Sequence, residues 1–260
     1  MYLNTLNVIL LACIAILILV LVLMNSRESF TDKRKFIWTN YIDAVLYINL
    51  KNRKDRKDLV LGEFKKLGIP DNIIHRIDAV YTPKNGHKGC VRSHIKALDK
   101  AKIHNWGRTL IIEDDFEIAE TPDIFREQVA NIFSAIKENN LEWDVIMFAT
   151  AYAEAHKTAI SGNPNIVRIK RATTASAYII NKPYIDTLLE CFHYSDDNMS
   201  EDKVNDLKNG LESYALDQQW FKLQEKDNWF GFKNDISKQR AIWSSTQTGV
   251  HETMRLLKAK

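Results

Sequence analysis

The sequence predicts an α/β domain built on a central, mostly parallel sheet. Three observations carry this. Apolar, β-branched runs recur at residues 43–50, 73–79, 107–112 and 143–148. Amphipathic helical patterns fill the intervals between them. The resulting β-α-β-α-β-α-β alternation is that of crossover units, in which helices cover parallel strands.

The chain opens on an unbroken apolar run, residues 8–24, VILLACIAILILVLVLM, with no charge, Pro or Gly. This reads as a single transmembrane anchor at the short end of spanning length. A cleaved signal peptide would want a basic start and a small-residue cleavage site, and residues 1–7 and 24–26 supply neither. Arg27, Lys33, Arg34 and Lys35 follow the run and argue for a cytosolic C-terminal part. An enzyme of the secretory pathway would instead face the lumen, so both orientations are carried forward. The expected organisation is a short tail (1–7), an anchor (8–24), a polar stem (25–40) and one folded domain (41–260).

Residues 43–50 form a buried strand that runs directly into the basic stretch KNRKDRK at 51–57. A helix follows, with Leu59, Leu61, Phe64 and Leu67 expected inward and Gly68 as its stop. Arg53 and Arg56 share a face there and suit a phosphate or carboxylate; a solvated basic face is the alternative. Residues 73–79 are a second strand. The next helix runs from about Gly86 to Asn105, with Ile95, Leu98, Ala101 and Ile103 on its apolar side. Gly89 near its start permits close backbone approach to a ligand. Ser93 and His94 lie in early turns, where anions are favoured.

Residues 107–118, GRTLIIEDDFEI, are the most informative stretch. A short apolar strand ends in Glu113, Asp114 and Asp115. Adjacent carboxylates raise each other's pKa unless a cation or donors compensate. Hard oxygen ligands at a strand end suit Mg²⁺ or Mn²⁺ and, through it, a substrate phosphate. The alternative is a solvated acidic turn.

Pro122 opens a helix with Ile124, Phe125, Val129, Ile132, Phe133 and Ile136 inward. Residues 149–165 read as a loop. Residues 166–170 and 175–180 read as a pair of strands, and a helix runs from Pro183 to about Phe192. Residues 195–209 are polar and acidic and read as a loop, with a sequon at Asn198 that matters only in a lumen. Residues 214–223 are helical, placing Asp217 among apolar neighbours. The aromatic tail from Trp229 is expected to return over the sheet edge.

The net charge of +3 is small and the charges are interspersed, with no basic stripe bearing interleaved aromatics. No nucleic-acid partner is expected. Cys13 lies in the apolar run, and Cys90 and Cys191 match no zinc-ligand spacing. These last two could pair or stay reduced.

Several landmarks together resemble glycosyltransferase family 25, which includes lipopolysaccharide and collagen galactosyltransferases. Residues 47–56, YINLKNRKDR, resemble its YVINLxRRxDR opening, and residues 89–98, GCVRSHIKAL, its GCxxSHxxxW/L segment. Residues 110–116, LIIEDDF, resemble LILEDDV; residues 174–182, TASAYIINK, resemble GxxAYxIS; residues 214–217, YALD, resemble its PxD helix start without the proline.

The resemblance implies a GT-A fold with a Rossmann-like nucleotide-sugar half. It implies inverting transfer of a hexose, usually galactose, from a UDP-sugar, with Mn²⁺ or Mg²⁺ on the acidic motif. Asp115 and Asp114 would hold the metal. Asn49, Arg53, Arg56, Ser93, His94, Glu113 and Asp114 would line the donor site. Inversion needs a base for the acceptor hydroxyl. Asp217 is the candidate, with Glu154 and Asp186 as alternatives, and His251 is a candidate third metal ligand. The expected partners are a UDP-sugar, an acceptor hydroxyl on a glycan, lipid-linked glycan or protein, and the membrane. Two other readings fit the acidic motif: a metal-dependent phosphohydrolase, and a non-catalytic nucleotide-sugar or glycan-binding module on the same fold.

Overall fold

A computed structural model describes residues 14, 16, 38–156, 160, 163–202 and 214–240. The chain divides into two compact units, Met1–Trp38 and Thr39–Lys260. Of the apolar run, Ile14 and Ile16 are described, both helical and exposed. The anchor and stem otherwise lie outside the described residues. Among the described residues, no helix is long and apolar enough to cross a membrane.

The second unit holds strands β1 (Ala44–Asn49), β2 (Ile74–Asp78), β3 (Arg108–Glu113), β4 (Phe116–Ile118), β5 (Val145–Met147), β6 (Ala151–His156), β7 (Ile166–Thr173), β8 (Ala177–Asn181), β9 (Trp229–Phe232) and β10 (Ser237–Gln239). Its helices are α1 (Lys54–Leu67), α2 (Gly86–Ile103), α3 (Pro122–Glu138), α4 (Ile185–Asn198), α5 (Leu216–Gln219) and α6 (Phe221–Lys226). Eight strands form one sheet in the order β2-β1-β3-β8-β5-β9-β7-β6, and β4 and β10 form a separate antiparallel pair. β1 pairs parallel with β2 and β3, and β5 parallel with β9. β8 runs antiparallel to both β3 and β5, and β7 antiparallel to both β9 and β6. Within this sheet, strand direction is therefore shared by all but β7 and β8.

Side chains alternate across the sheet, as a strand requires. Leu46, Ile48, Ile111, Tyr178 and Ile180 join the core cluster containing Val91, Leu98, Leu188 and Phe192 of α2 and α4. On the other face, Tyr47 meets Phe64 of α1 edge-on. Phe125 of α3 meets Phe148 in the same way. Every residue of β1 is buried, which explains its continuous apolar run.

Five sequence expectations are corrected. The stretch 149–165 is not simply a loop, because β6 forms within it and pairs with β7. The segments β7 and β8 do not pair with each other; β8 inserts between β3 and β5, whereas β7 sits beside β9. The start of the aromatic tail, Trp229–Phe232, does not cover an edge, and the tail beyond Arg240 lies outside the described residues. β9 enters the sheet between β5 and β7, with all four of its residues buried. The polar stretch from Ser195 begins as the last turn of α4, where the buried Ser195 hydroxyl donates to the Tyr214 carbonyl. At helix faces, Leu59, Ile103 and Ile124 are exposed, and Val60 takes the inward place expected of its neighbours.

Candidate functional site

A cleft of about 480 Å³ opens at the C-terminal ends of β1, β2 and β3. That is where open α/β sheets place ligands, and the volume suits a small molecule. It is lined by Asn49, Arg56, Glu113, Asp114 and Asp115 and, from later in the chain, by Thr174, Asp217, Gln239 and Arg240.

β3 ends at Glu113 and the chain turns at Asp114 and Asp115, which sends the acidic residues in different directions. Asp114 turns toward α1, where it accepts hydrogen bonds from Arg56 Nη1 at 2.8 Å and Asn49 Nδ2 at 2.8 Å. Asn49 is held in turn by Arg76, whose Nε and Nη2 donate to its side-chain and backbone oxygens. Asp115 Oδ2 lies 3.8 Å from Arg56 Nη1. Its Oδ1 is buried with no hydrogen-bond partner among the described residues. Burial, followed by the charge of Glu113, pushes the Asp115 carboxyl up to about 7. A buried carboxylate with an unfilled acceptor needs either a proton or a cation. This donor set fits a hard divalent ion: clustered carboxylate oxygens in the cleft, one of them unsatisfied.

Glu113 turns toward α2. Its Oε1 lies 3.1 Å from His94 Nε2 and 3.3 Å from Cys90 Sγ. His94 Nδ1 is 3.0 Å from the Tyr178 hydroxyl. Burial alone would raise the Glu113 carboxyl, but the His94 hydrogen bond and charge hold it below the usual range. His94 is fully buried behind Glu113 and is not among the residues lining the cleft. The Ser93 hydroxyl donates to the Gly89 carbonyl at 2.6 Å and accepts from the Val80 amide at 2.8 Å. Ser93 therefore fastens the 79–82 loop to α2 while lining the cleft. Gly89 also lines the cleft and permits that same packing. A Cβ there would lie 2.4 Å from Thr82 Oγ1 and 2.5 Å from the Val80 carbonyl.

Arg53 caps α1, pairs with Asp55 and is not among the cleft-lining residues. Asp217 does line the cleft. Its Oδ2 accepts from the Thr174 amide at 3.1 Å, and burial raises its carboxyl. Thr174 adopts φ +84, in the left-handed region that a β-branched residue avoids. Asp186 pairs with Lys102, is largely exposed and does not line the cleft. Glu154 lies in β6, and its side chain is outside what is described. His251 lies outside the described residues.

Sequence reading missed Arg240. The antiparallel β4–β10 pair brings it to the cleft, where its amide donates to the Asp115 carbonyl at 2.6 Å. Its guanidinium reaches Glu63 at 3.0 Å and Glu117 at 2.8 Å. No local pattern marks such a residue. Cys90 was also missed as a site residue, although it precedes His94 by one helical turn and a two-residue strand period points Glu113 and Ile111 to the same face.

No known family model matches the chain. Procollagen galactosyltransferase 2 of Mus musculus is 24% identical over 154 residues, which cover 50% of this chain and 24% of that protein. The Homo sapiens protein of the same name is 22% identical over 165 residues, covering 54% and 26% respectively. The chain thus aligns with about a quarter of the length of these curated relatives. Among solved structures, a mannose-1-phosphate geranyltransferase from Thermus thermophilus superposes with a TM-score of 0.42 at 10% identity, covering 79% of this chain and 76% of that one. A glycosyltransferase involved in glycosylation of the major capsid of PBCV-1 gives a TM-score of 0.37 at 11% identity, covering 81% and 98%.

Proposed function

We propose that this protein is a metal-dependent, inverting glycosyltransferase of GT-A-like fold, related to family 25. It moves a hexose, galactose in this reading, from a UDP-sugar to a hydroxyl on a glycan, lipid-linked glycan or protein. The apolar run 8–24 anchors it to a membrane. The observation that carries the reading is the buried Asp115 carboxylate, with one oxygen unpaired, in a cleft that also holds Asp114 and Asp217. The sequence similarity to two procollagen galactosyltransferases supports it.

In this reading Asp114 and Asp115 hold Mn²⁺ or Mg²⁺, with His251 as a third ligand from the chain beyond Arg240. When bound, the ion would offset the charge on the departing nucleoside diphosphate. Arg56 orients Asp114 through its 2.8 Å contact. Asn49 fixes the other Asp114 oxygen. The Arg240 amide holds the Asp115 backbone carbonyl beside the metal-binding carboxylates. Asp217 takes the acceptor hydroxyl proton. Its burial raises its proton affinity, which suits a general base. The Thr174 amide holds one Asp217 oxygen in place.

The test is UDP release by the full chain from UDP-galactose, UDP-glucose and UDP-N-acetylglucosamine, with Mn²⁺ or with EDTA, in wild type and Asp115→Ala. Mn²⁺-dependent release selective for one sugar, and lost in the variant, supports the transferase. No release and no Mn²⁺-dependent UDP binding would sink it. Binding without turnover on any acceptor would favour a binding module.

A further inference from the structure

The three consecutive carboxylates do not share one environment. Asp114 and Asp115 face Arg56 on one side of the sheet, whereas Glu113 faces Cys90 and His94 of α2 on the other. We propose that Cys90 Sγ, His94 Nε2 and Glu113 Oε1 form a second cation site, selective for Zn²⁺ and distinct from the hard-ion site of Asp114 and Asp115. This goes beyond the transferase reading and does not rest on it.

Geometry supports it. The three ligand atoms lie within 4.8 Å of one another. Two of the separations are 3.3 Å and 3.1 Å. A tetrahedral ion with bonds of ~2.0–2.3 Å sets ligand spacings of roughly 3.3–3.7 Å, so small side-chain shifts suffice. Cys90 and His94 stand four apart on α2 and so project from the same face. The backbone beneath them is secured on both sides. Lys88 of α2 binds the carbonyls of Asp196 and Met199, and the Ser93 hydroxyl binds the 79–82 loop.

Chemistry gives the selectivity. Thiolate, imidazole and carboxylate suit Zn²⁺, whereas Mn²⁺ and Mg²⁺ prefer oxygen ligands alone. One thiolate and one carboxylate neutralise a divalent ion, which lowers the cost of burying it. Binding through Nε2 keeps the imidazole proton on Nδ1, where the Tyr178 oxygen 3.0 Å away accepts it. Such an outer partner fixes a ligating histidine. The Cys90 thiol, kept protonated by burial in the metal-free protein, gives its proton to solvent when the metal binds. Cys90 and Glu113 both line the cleft. Three protein ligands leave a fourth position, and it opens toward the cleft, as in zinc sites that carry an exchangeable ligand.

The experiment strips the full chain of metal and titrates it with Co²⁺ and then Zn²⁺, without any sugar nucleotide. Wild type, Cys90→Ala, Cys90→Ser and Asp115→Asn are compared, with circular dichroism confirming that each is folded. The expected result is one tight Zn²⁺ per chain and a thiolate-to-Co²⁺ charge-transfer band. Both Cys90 variants lose the band and bind Zn²⁺ at least ~10-fold more weakly; Asp115→Asn keeps both. No band in wild type, a band that survives in Cys90→Ala, or equal loss in Asp115→Asn would each overturn the proposal. Because no donor sugar is present, failure of the transferase reading leaves this result unaffected.

Discussion

Arg56 Nη1 sits 2.8 Å from Asp114 Oδ1 and 3.8 Å from Asp115 Oδ2, so one guanidinium joins a helix to both carboxylates beyond β3. The Arg56 and Asp114 side chains are 7% and 10% exposed. Removing one partner of a buried ion pair leaves the other charge stranded. Arg56→Ala is therefore expected to destabilise the fold by about 3–5 kcal/mol. Urea denaturation measures this. Arg56→Lys should recover part of the stability but not the hydrogen-bond geometry, and UDP release should stay low.

Asp115→Asn separates stability from activity. The Asp115 carboxylate is buried beside Glu113 and Asp114, with one oxygen unpaired. Neutralising it is expected to stabilise the metal-free protein by on the order of 1 kcal/mol. The same change should abolish metal-dependent UDP release. A melting curve without metal, set beside a UDP-release assay with Mn²⁺, reads both effects. Loss of stability together with loss of activity would mark Asp115 as structural.

Thr174 holds a left-handed backbone conformation while its amide donates to Asp217. Thr174→Gly should relieve strain on the order of 1 kcal/mol and raise the melting temperature. Asp217→Asn keeps an acceptor for that amide, so it should unfold close to wild type and lose turnover by at least ~100-fold. UDP-sugar binding should survive in Asp217→Asn if the residue acts as base.

Gly89→Ala tests the contact between α2 and the 79–82 loop. The added carbon would lie 2.5 Å from the Val80 backbone carbonyl, which cannot rotate away as a side chain could. A cost of about 1–3 kcal/mol is expected from overpacking. Removing the Thr82 hydroxyl in a double variant should restore only part of it, because the carbonyl clash remains. The denaturation midpoints of the two variants decide this.

Asp235 gives a pH test outside the main cleft. Burial raises its carboxyl even though the Thr150 amide and hydroxyl lie 3.0 Å from its oxygens. A raised folded pKa favours the protonated form. Its stabilisation is therefore full below the unfolded value of about 4 and is lost as pH rises through the folded value. Asp235→Asn, which cannot ionise, should gain stability relative to wild type as pH rises across that window. Melting temperatures measured in steps from pH 4 to 7 check the sign.

Much of the first half was legible because its signals are local. β1, α1, β2, α2, β3 and α3 follow from apolar period and from Gly and Pro punctuation, and the cleft-facing carboxylates follow from an abrupt end to a strand. Asn49, Arg56, Asp114, Asp115 and Asp217 do meet at one cleft. The departures also have local causes. Leu59, Ile103 and Ile124 are apolar yet exposed, because helix rotation is set by what packs beneath and not by side-chain type alone. Arg53 and His94 share motifs with cleft residues, yet helix geometry turns Arg53 to Asp55 and buries His94 behind Glu113.

The sequence by itself determined that strands alternate with helices and that acids gather where β3 ends, because periodicity and chain order are properties of neighbouring residues. Only the tertiary structure decided that β8 inserts beside β3, that β9 enters the sheet and that β10 carries Arg240 to Asp115. Those outcomes depend on which strand edges remain open once the first strands have paired, a long-range competition for backbone hydrogen bonds. The same holds for the division of Glu113 from Asp114. β3 ends between them, and only the packing of α1 and α2 supplied Arg56 to one and Cys90 with His94 to the other.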